Sequence, residues 1–209
     1  PKGFWINTDI LKRFSKFTST STYRPSLNNV VITGNKIAAT DAHKLIFQDF
    51  EFSEYLLIPP SVIKLLPKKE LVYFELYDRH IKVIIRDYYI IYHIAGEKFP
   101  DFNSIIPTEF TNTLKFDASK IEWNKHKFIN KETTIEQEDN ALRIISSNKN
   151  SNRQYIQEFE NNNIDDFKFK VSIEQFKIFV DGLKETEFKT YKNLLSINEN
   201  IILVTLEID

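Results

Sequence analysis

The chain contains no cysteine, which excludes disulfides, a thiolate metal site and a cysteine nucleophile, and fits a reducing compartment. Methionine is also missing, and nothing structural follows from that. Glycine and proline are scarce, 4 and 7 of 209 residues, which argues for regular elements and few elaborate loops. An excess of one charge sign is lacking too. With 28 Lys and Arg against 29 Asp and Glu the net charge is -1, and no global field draws the chain to nucleic acid or membrane. Any phosphate contact must come from local segregation of charge. No apolar run approaches the roughly 20 residues that span a bilayer, and residues 1–16 carry no signal-peptide core. A soluble, intracellular (cytoplasmic) protein with no membrane partner is expected.

Catalytic chemistry is absent in the same way. His43, His80, His93 and His126 are scattered without metal-ligand spacing, and there is neither a Gly-rich phosphate loop nor a Gly-x-Ser-x-Gly elbow. Asp41 and His43 form an acid–base pair only on paper, since no third group orients the imidazole. A non-enzymatic protein without metal or cofactor is expected.

What is present is core: 42% of residues are hydrophobic, mostly Phe, Ile, Leu and Tyr. Ile6, Ile10, Leu11, Phe14 and Phe17 follow helical spacing behind Asn7 or Thr8 as N-cap. Segments 28–33 and 36–40 read as strands around a Gly34-Asn35 turn, and a third strand follows at 45–52. Pro59-Pro60-Ser61 opens a short helix at 62–66 that Pro67 ends. Strands at 71–76, 81–85 and 88–94 complete the half. After Pro107 the order begins again. A helix is predicted over 118–128 and strands over 135–137 and 141–146 around Asp139-Asn140. Strands at 154–159 and 167–171 come next, then a helix from Ser172 as cap to Leu183, with Asp181 in it. Strands at 190–197 and 201–208 flank an Asn198-Glu199-Asn200 turn. Trp5 and Trp123, in or beside the first helix of each repeat, are expected to anchor the core. The reading is two α+β domains, 1–110 and 111–209, with the boundary near 108–113, each with two helices on antiparallel sheets.

Three stretches carry a resemblance: Ala39-Thr40-Asp41-Ala42-His43-Lys44-Leu45; Leu57-Ile58-Pro59 with Val62-Ile63-Lys64-Leu65; and Gly96-Glu97-Lys98-Phe99-Pro100-Asp101-Phe102 running to Ile105-Ile106-Pro107. In order and separation they resemble the middle domain of the bacterial DNA polymerase III β sliding clamp. The second half resembles that clamp's last domain in element order only. The resemblance implies the DNA-clamp fold and a scaffold that encircles duplex DNA irrespective of sequence and tethers polymerase or other replication and repair proteins. The bacterial clamp has three such domains and closes as a dimer, whereas two are found here, so a ring of six implies a trimer joined through edge strands, helices inward and sheets outward. The chain's last residues, Val204-Thr205-Leu206-Glu207-Ile208-Asp209, also depart from the family's Pro-Met-Arg-like tail.

In the family, a Thr-Asp-Gly-His-Arg-Leu loop with a following Pro and Val captures clamp-binding peptides. That implies a peptide cleft of Thr40, Ala42, His43, Lys44, Leu45, Pro59 and Val62, with Ala42 in place of Gly and Lys44 in place of Arg. For DNA, cations on or beside the helices become candidates: Lys12, Arg13, Lys16, Lys64, Lys68, Lys120, Lys125 and Lys177. Tyr23 and Arg24 join them, in the loop where bacterial clamps contact DNA. Lys69, Lys127 and Lys184 lie in the same groups, while Glu122, Glu174, Asp181 and Glu185 share the second half's helices and make it less basic. A monomeric, non-encircling adaptor for replication proteins is the alternative that this weaker basic bias supports.

Overall fold

The computed structural model describes residues 1–93, 96–110, 112–129, 132–138, 140–148, 153–160, 167–180, 183–191, 194–198 and 200–204. Among the residues named above, Ile94, Asp139, Asp181, Glu199 and the tail 205–209 lie outside the described residues. The chain divides into two compact units, Pro1–Ser104 and Ile105–Asp209.

The first unit runs β1 (Lys2–Asn7), α1 (Thr8–Phe14), β2 (Val30–Thr33), β3 (Lys36–Thr40), β4 (Lys44–Asp49), β5 (Leu56–Ile58), α2 (Pro60–Leu65), β6 (Leu71–Leu76), β7 (His80–Ile85) and β8 (Tyr88–His93). Its strands form two antiparallel sheets, β1-β6-β7-β8 and β5-β2-β3-β4. The Gly34-Asn35 turn has φ of +56° and +61°, the left-handed pair that closes a two-residue hairpin.

The second unit repeats this order: β9 (Asn112–Asp117), α3 (Trp123–Ile129), β10 (Glu132–Glu138), β11 (Ala141–Asn148), β12 (Arg153–Glu160), β13 (Phe167–Ser172), α4 (Ile173–Val180), β14 (Glu185–Tyr191), β15 (Leu194–Ile197) and β16 (Ile201–Val204). Its sheets, β9-β14-β15-β16 and β12-β11-β10-β13, are the counterparts of the first two. The fold is thus α+β, and in each unit the two helices lie side by side, α1 on α2 and α3 on α4.

Three expectations are corrected. Ile6 belongs to a strand: Phe4 and Ile6 are buried while Trp5 and Asn7 are exposed, the period of two that a sheet imposes. The four-residue step from Ile6 to Ile10 fits a helix only by coincidence. Trp5 is accordingly no core anchor; it is 63% exposed and lies beside its cross-strand partner Tyr73, ring centroids 5.0 Å apart. Trp123 is half-buried, 5.8 Å from Phe176. Finally, the single strand predicted over 190–197 is two strands, β14 beginning at Glu185 and pairing with β15 through Tyr191↔Leu194.

The α1 terminus shows why the helix starts where it does. Asn7 Oδ1 accepts the Asp9 amide at 2.8 Å, the N-cap bond. Thr8 exchanges backbone and hydroxyl bonds with Glu70, and Asp9 Oδ1 accepts from the Lys69 amide. Behind this lies an aromatic core, with Phe4 stacked on Phe74 at 5.1 Å and Phe14 and Phe17 fully inside. The second unit has its own, Phe116, Phe169, Phe176 and Phe188. No helix among the described residues is long and apolar enough to cross a membrane.

Candidate peptide-binding and DNA-binding residues

The loop between β3 and β4 is held by its own side chains. Asp41 Oδ1 accepts the amides of His43 and Lys44, both at 2.9 Å, while Thr40 Oγ1 donates to the Lys44 carbonyl at 2.7 Å and accepts the Ala42 amide at 3.0 Å. The Lys44 ammonium pairs with Asp41 Oδ2. Short polar side chains that bond to the backbone two or three residues on are what make such a turn rigid.

The sheet register places the rest of the candidate cleft. Ile58 pairs with Val30, Val31 with Ala38, and Thr40 with Leu45. Pro59, which leads from β5 into α2, therefore sits at the same end of the sheet as Thr40 and Leu45, two and three strand spacings away, or about 10 and 14 Å. Among the seven residues, Ala42 and His43 are exposed and Pro59 is half-buried, whereas Thr40, Lys44, Leu45 and Val62 are buried. The Lys44 charge is neutralised within the loop by Asp41, and the surface is presented by Ala42, His43 and Pro59.

Ala42 has φ +80°, a left-handed conformation that favours glycine. A left-handed conformation costs a residue with Cβ roughly 1–2 kcal/mol, and glycine's extra freedom in the unfolded chain offsets about half of that. Ala42→Gly is expected to stabilise the protein by about 0.5–1 kcal/mol, read as a higher urea midpoint; a lower midpoint would contradict the strain.

The third motif has a structural role. Phe99 and Phe102 are buried with rings 6.3 Å apart. Tyr55 Oη donates to the Glu97 carbonyl and accepts the Phe99 amide, both at 2.8 Å, which binds residues 97–99 to the segment before β5.

The candidate DNA residues fall into two groups. In the first unit Arg13, Lys16, Lys64, Lys68, Tyr23 and Arg24 are exposed to varying degrees, Tyr23 at 94%. The loop bearing Tyr23 and Arg24 is fixed by Ser19 N–H to the Leu27 carbonyl and by Asn28 Nδ2 to the Ser21 carbonyl. Lys12 is different: half-buried, its Nζ donates to the Leu66 carbonyl at 2.7 Å and so caps the end of α2. In the second unit each cation has a local partner. Lys120 pairs with Asp117 at 3.7 Å and Lys125 with Glu122 at 2.9 Å; Lys177 lies 5.9 Å from the centre of the Trp123 ring. The Tyr155 hydroxyl, and after it Lys125, hold the Glu122 carboxyl below its ordinary range, and Glu122 in turn raises Lys125. The three-residue spacings 117/120 and 122/125 are the signal by which sequence could have found these pairs.

Sequence reasoning missed a row of side chains across the first sheet, Trp5–Tyr73–Ile84–Tyr89, on its solvent face. Nothing in its local pattern revealed it, because the row exists only through pairing. Among the described residues, no group of His, Asp and Glu has the arrangement to hold a metal ion.

Neither a protein-family model nor a curated protein matches the sequence. Solved structures match its fold. The DNA polymerase III subunit beta of Borrelia burgdorferi, in complex with a natural product, aligns with TM-score 0.84 and 16% identity over 100% of this chain and 63% of its own. That of Pseudomonas aeruginosa gives 0.81 and 16% over 100% and 66%. The Helicobacter pylori beta clamp bound to a DNA ligase peptide gives 0.82 and 13% over 98% and 65%. The chain thus spans just under two thirds of these relatives' length. In both units, from β1 to β16, it has the fold of the DNA polymerase III beta sliding clamps.

Proposed function

We propose that the chain is a sliding-clamp-like processivity factor that encircles duplex DNA and tethers polymerase or other replication proteins by short peptides. The observation that carries this reading is the clamp fold over the whole chain, with Arg13, Lys16, Lys64 and Lys68 at the surface on or beside the helix pair α1 and α2. Phosphate neutralisation by helix lysines without base contacts suits a protein that slides. A partner docked on Ala42, His43 and Pro59 would gain effective concentration at the template and not a lower chemical barrier.

Ring closure through strand edges belongs to the same reading. Among the described residues β8 is the last strand of its sheet; Tyr88, Tyr89 and Ile91 are at least half exposed, and the strand carries no Lys, Arg, Asp or Glu. Natural edges left open usually carry charge or proline, so this edge is suited to pairing. In a trimer of two-domain chains it would meet β12, the edge of the second unit's sheet, from another copy. Light scattering should then give three times the 24.7 kDa of the chain. A strict monomer at high concentration would instead favour the non-encircling adaptor, which the ion-paired lysines of the second unit support.

Charge reversal tests the DNA surface. Arg13→Glu with Lys16→Glu should lower the slope of log affinity against log salt by about two, one for each phosphate no longer neutralised. Lys12→Ala should leave the slope nearly unchanged, since that ammonium already serves the Leu66 carbonyl. An unchanged slope in the double variant would remove α1 from the DNA surface.

A further inference from the structure

The second unit holds a titratable side chain that none of these surfaces uses. His126 on α3 is fully buried. Its Nδ1 lies 2.9 Å from Ser146 Oγ on β11, which lies 3.0 Å from Thr133 Oγ1 on β10; its Nε2 lies 3.3 Å from Gln157 Oε1 on β12. The amide of Gln157 is oriented by two backbone groups, since Nε2 donates to the Lys120 carbonyl at 2.7 Å and Oε1 accepts the Glu122 amide at 2.9 Å. An oxygen with no hydrogen can only accept, so His126 Nε2 carries the proton. Nδ1 then accepts from the Ser146 hydroxyl, and Ser146 Oγ accepts from Thr133. A single neutral tautomer therefore ties α3 to three strands.

We propose that His126 is an acid-sensitive latch, neutral when α3 is docked on β10, β11 and β12 and protonated when the helix is released. An imidazolium has two donors and no acceptor, so charging it in place reverses the Ser146 and Thr133 hydroxyls and buries a cation. The groups around it offer limited compensation. Just before α3, Glu122 attracts the charge, but its carboxylate is already engaged by the Tyr155 hydroxyl and Lys125. From β12 come Gln157 and the Tyr155 ring, edge-on at 4.7 Å; from β11 and β10 come the hydroxyls of Ser146 and Thr133. The neighbouring α4 directs Phe176 and Lys177 at Trp123. Burial outweighs the Gln157 hydrogen bond and the Glu122 charge, so His126 falls below its ordinary 6.5.

The direction of the pH effect follows. Between the folded value and 6.5 the released helix binds a proton that the docked helix does not. The opening equilibrium of α3 therefore rises in that window by up to about tenfold for each pH unit lost, the limit for one proton, and is flat above it. Because Lys120, Lys125 and Lys127 lie on or just before α3, release would displace them, although the latch does not rest on the DNA reading.

The full chain carrying Trp5→Phe leaves Trp123, the first residue of α3, as sole tryptophan reporter. Amide exchange of α3, corrected for intrinsic rates, is followed from neutral pH to about pH 5, together with Trp123 emission and the NMR titration of the His126 ring. The expected result is a ring titrating below 6.5 and α3 protection falling with pH by up to about tenfold per unit, while α1 stays flat. His126→Gln should remove the pH dependence. A ring titrating at or above 6.5, α3 protection that tracks α1 throughout, or the same pH profile in His126→Gln overturns the proposal. Should the Gln variant fail to fold, the wild-type titration and exchange still decide.

Discussion

Replacing Phe188 with alanine is expected to cost about 3–5 kcal/mol, the upper range for a single large-to-small change in a core. Phe188 is 1% exposed on β14, and its ring lies 4.8 Å from Phe116, 5.7 Å from Phe176 and 6.5 Å from Phe169. It therefore joins β9, α4 and β13 of the second unit. Alanine removes the ring and leaves a cavity that three aromatic neighbours on separate elements cannot close, so the transfer and cavity losses add. Urea unfolding of the chain carrying Trp5→Phe, followed by Trp123, whose ring packs near Phe176, reads the change directly. A loss below about 1 kcal/mol would mean that this cluster is not the core of the second unit.

The second large effect is at the cleft loop. Lys44→Ala should destabilise the first unit by about 2–3 kcal/mol, because it leaves the Asp41 carboxylate without its cation in a place where the two side chains are only 17% and 9% exposed. The loss stays below that of a fully enclosed pair, since Asp41 keeps the amides of His43 and residue 44. Lys44→Met should be nearly as harmful, and the double change with Asp41→Asn should recover part of the stability, as a double-mutant cycle would show. Additive losses would mean that the pair does not hold the loop. Two roles that the motif merges are separated in this way: His43→Ala should weaken capture of a clamp-binding peptide with stability unchanged, whereas Lys44 acts by shaping the turn.

The contrast shows which levels of structure local sequence encodes. Strand β6 is legible at its full extent through its alternating pattern, and β3 through the Gly34-Asn35 turn that precedes it, because alternation and left-handed turn residues are local properties. The repeat is legible for the same reason. Strand β1 is not, since its partner β6 lies far along the chain and only that pairing shows Trp5 to face solvent. At the sites, the 40–45 loop announces itself by motif, but whether Lys44 faces a partner or Asp41 depends on a turn geometry that residue identity does not express. Likewise the capping of Leu66 by Lys12 joins residues 54 apart, and the burial of His126 is set by β10, β11 and β12 together. The ion-paired lysines at 120 and 125 were within reach, because a three-residue spacing of opposite charges is visible in the chain itself.

The central claim is that the protein holds DNA by topology and not by affinity. It is tested most directly on duplex DNA tethered at one end, onto which the protein is threaded and the free end then capped with a bulky protein. Closed rings are expected to survive a high-salt wash on capped DNA and to be lost once a restriction cut reopens the end. Equal loss from capped and open DNA in the same wash would contradict encirclement, since only ordinary phosphate contacts are released by salt alone.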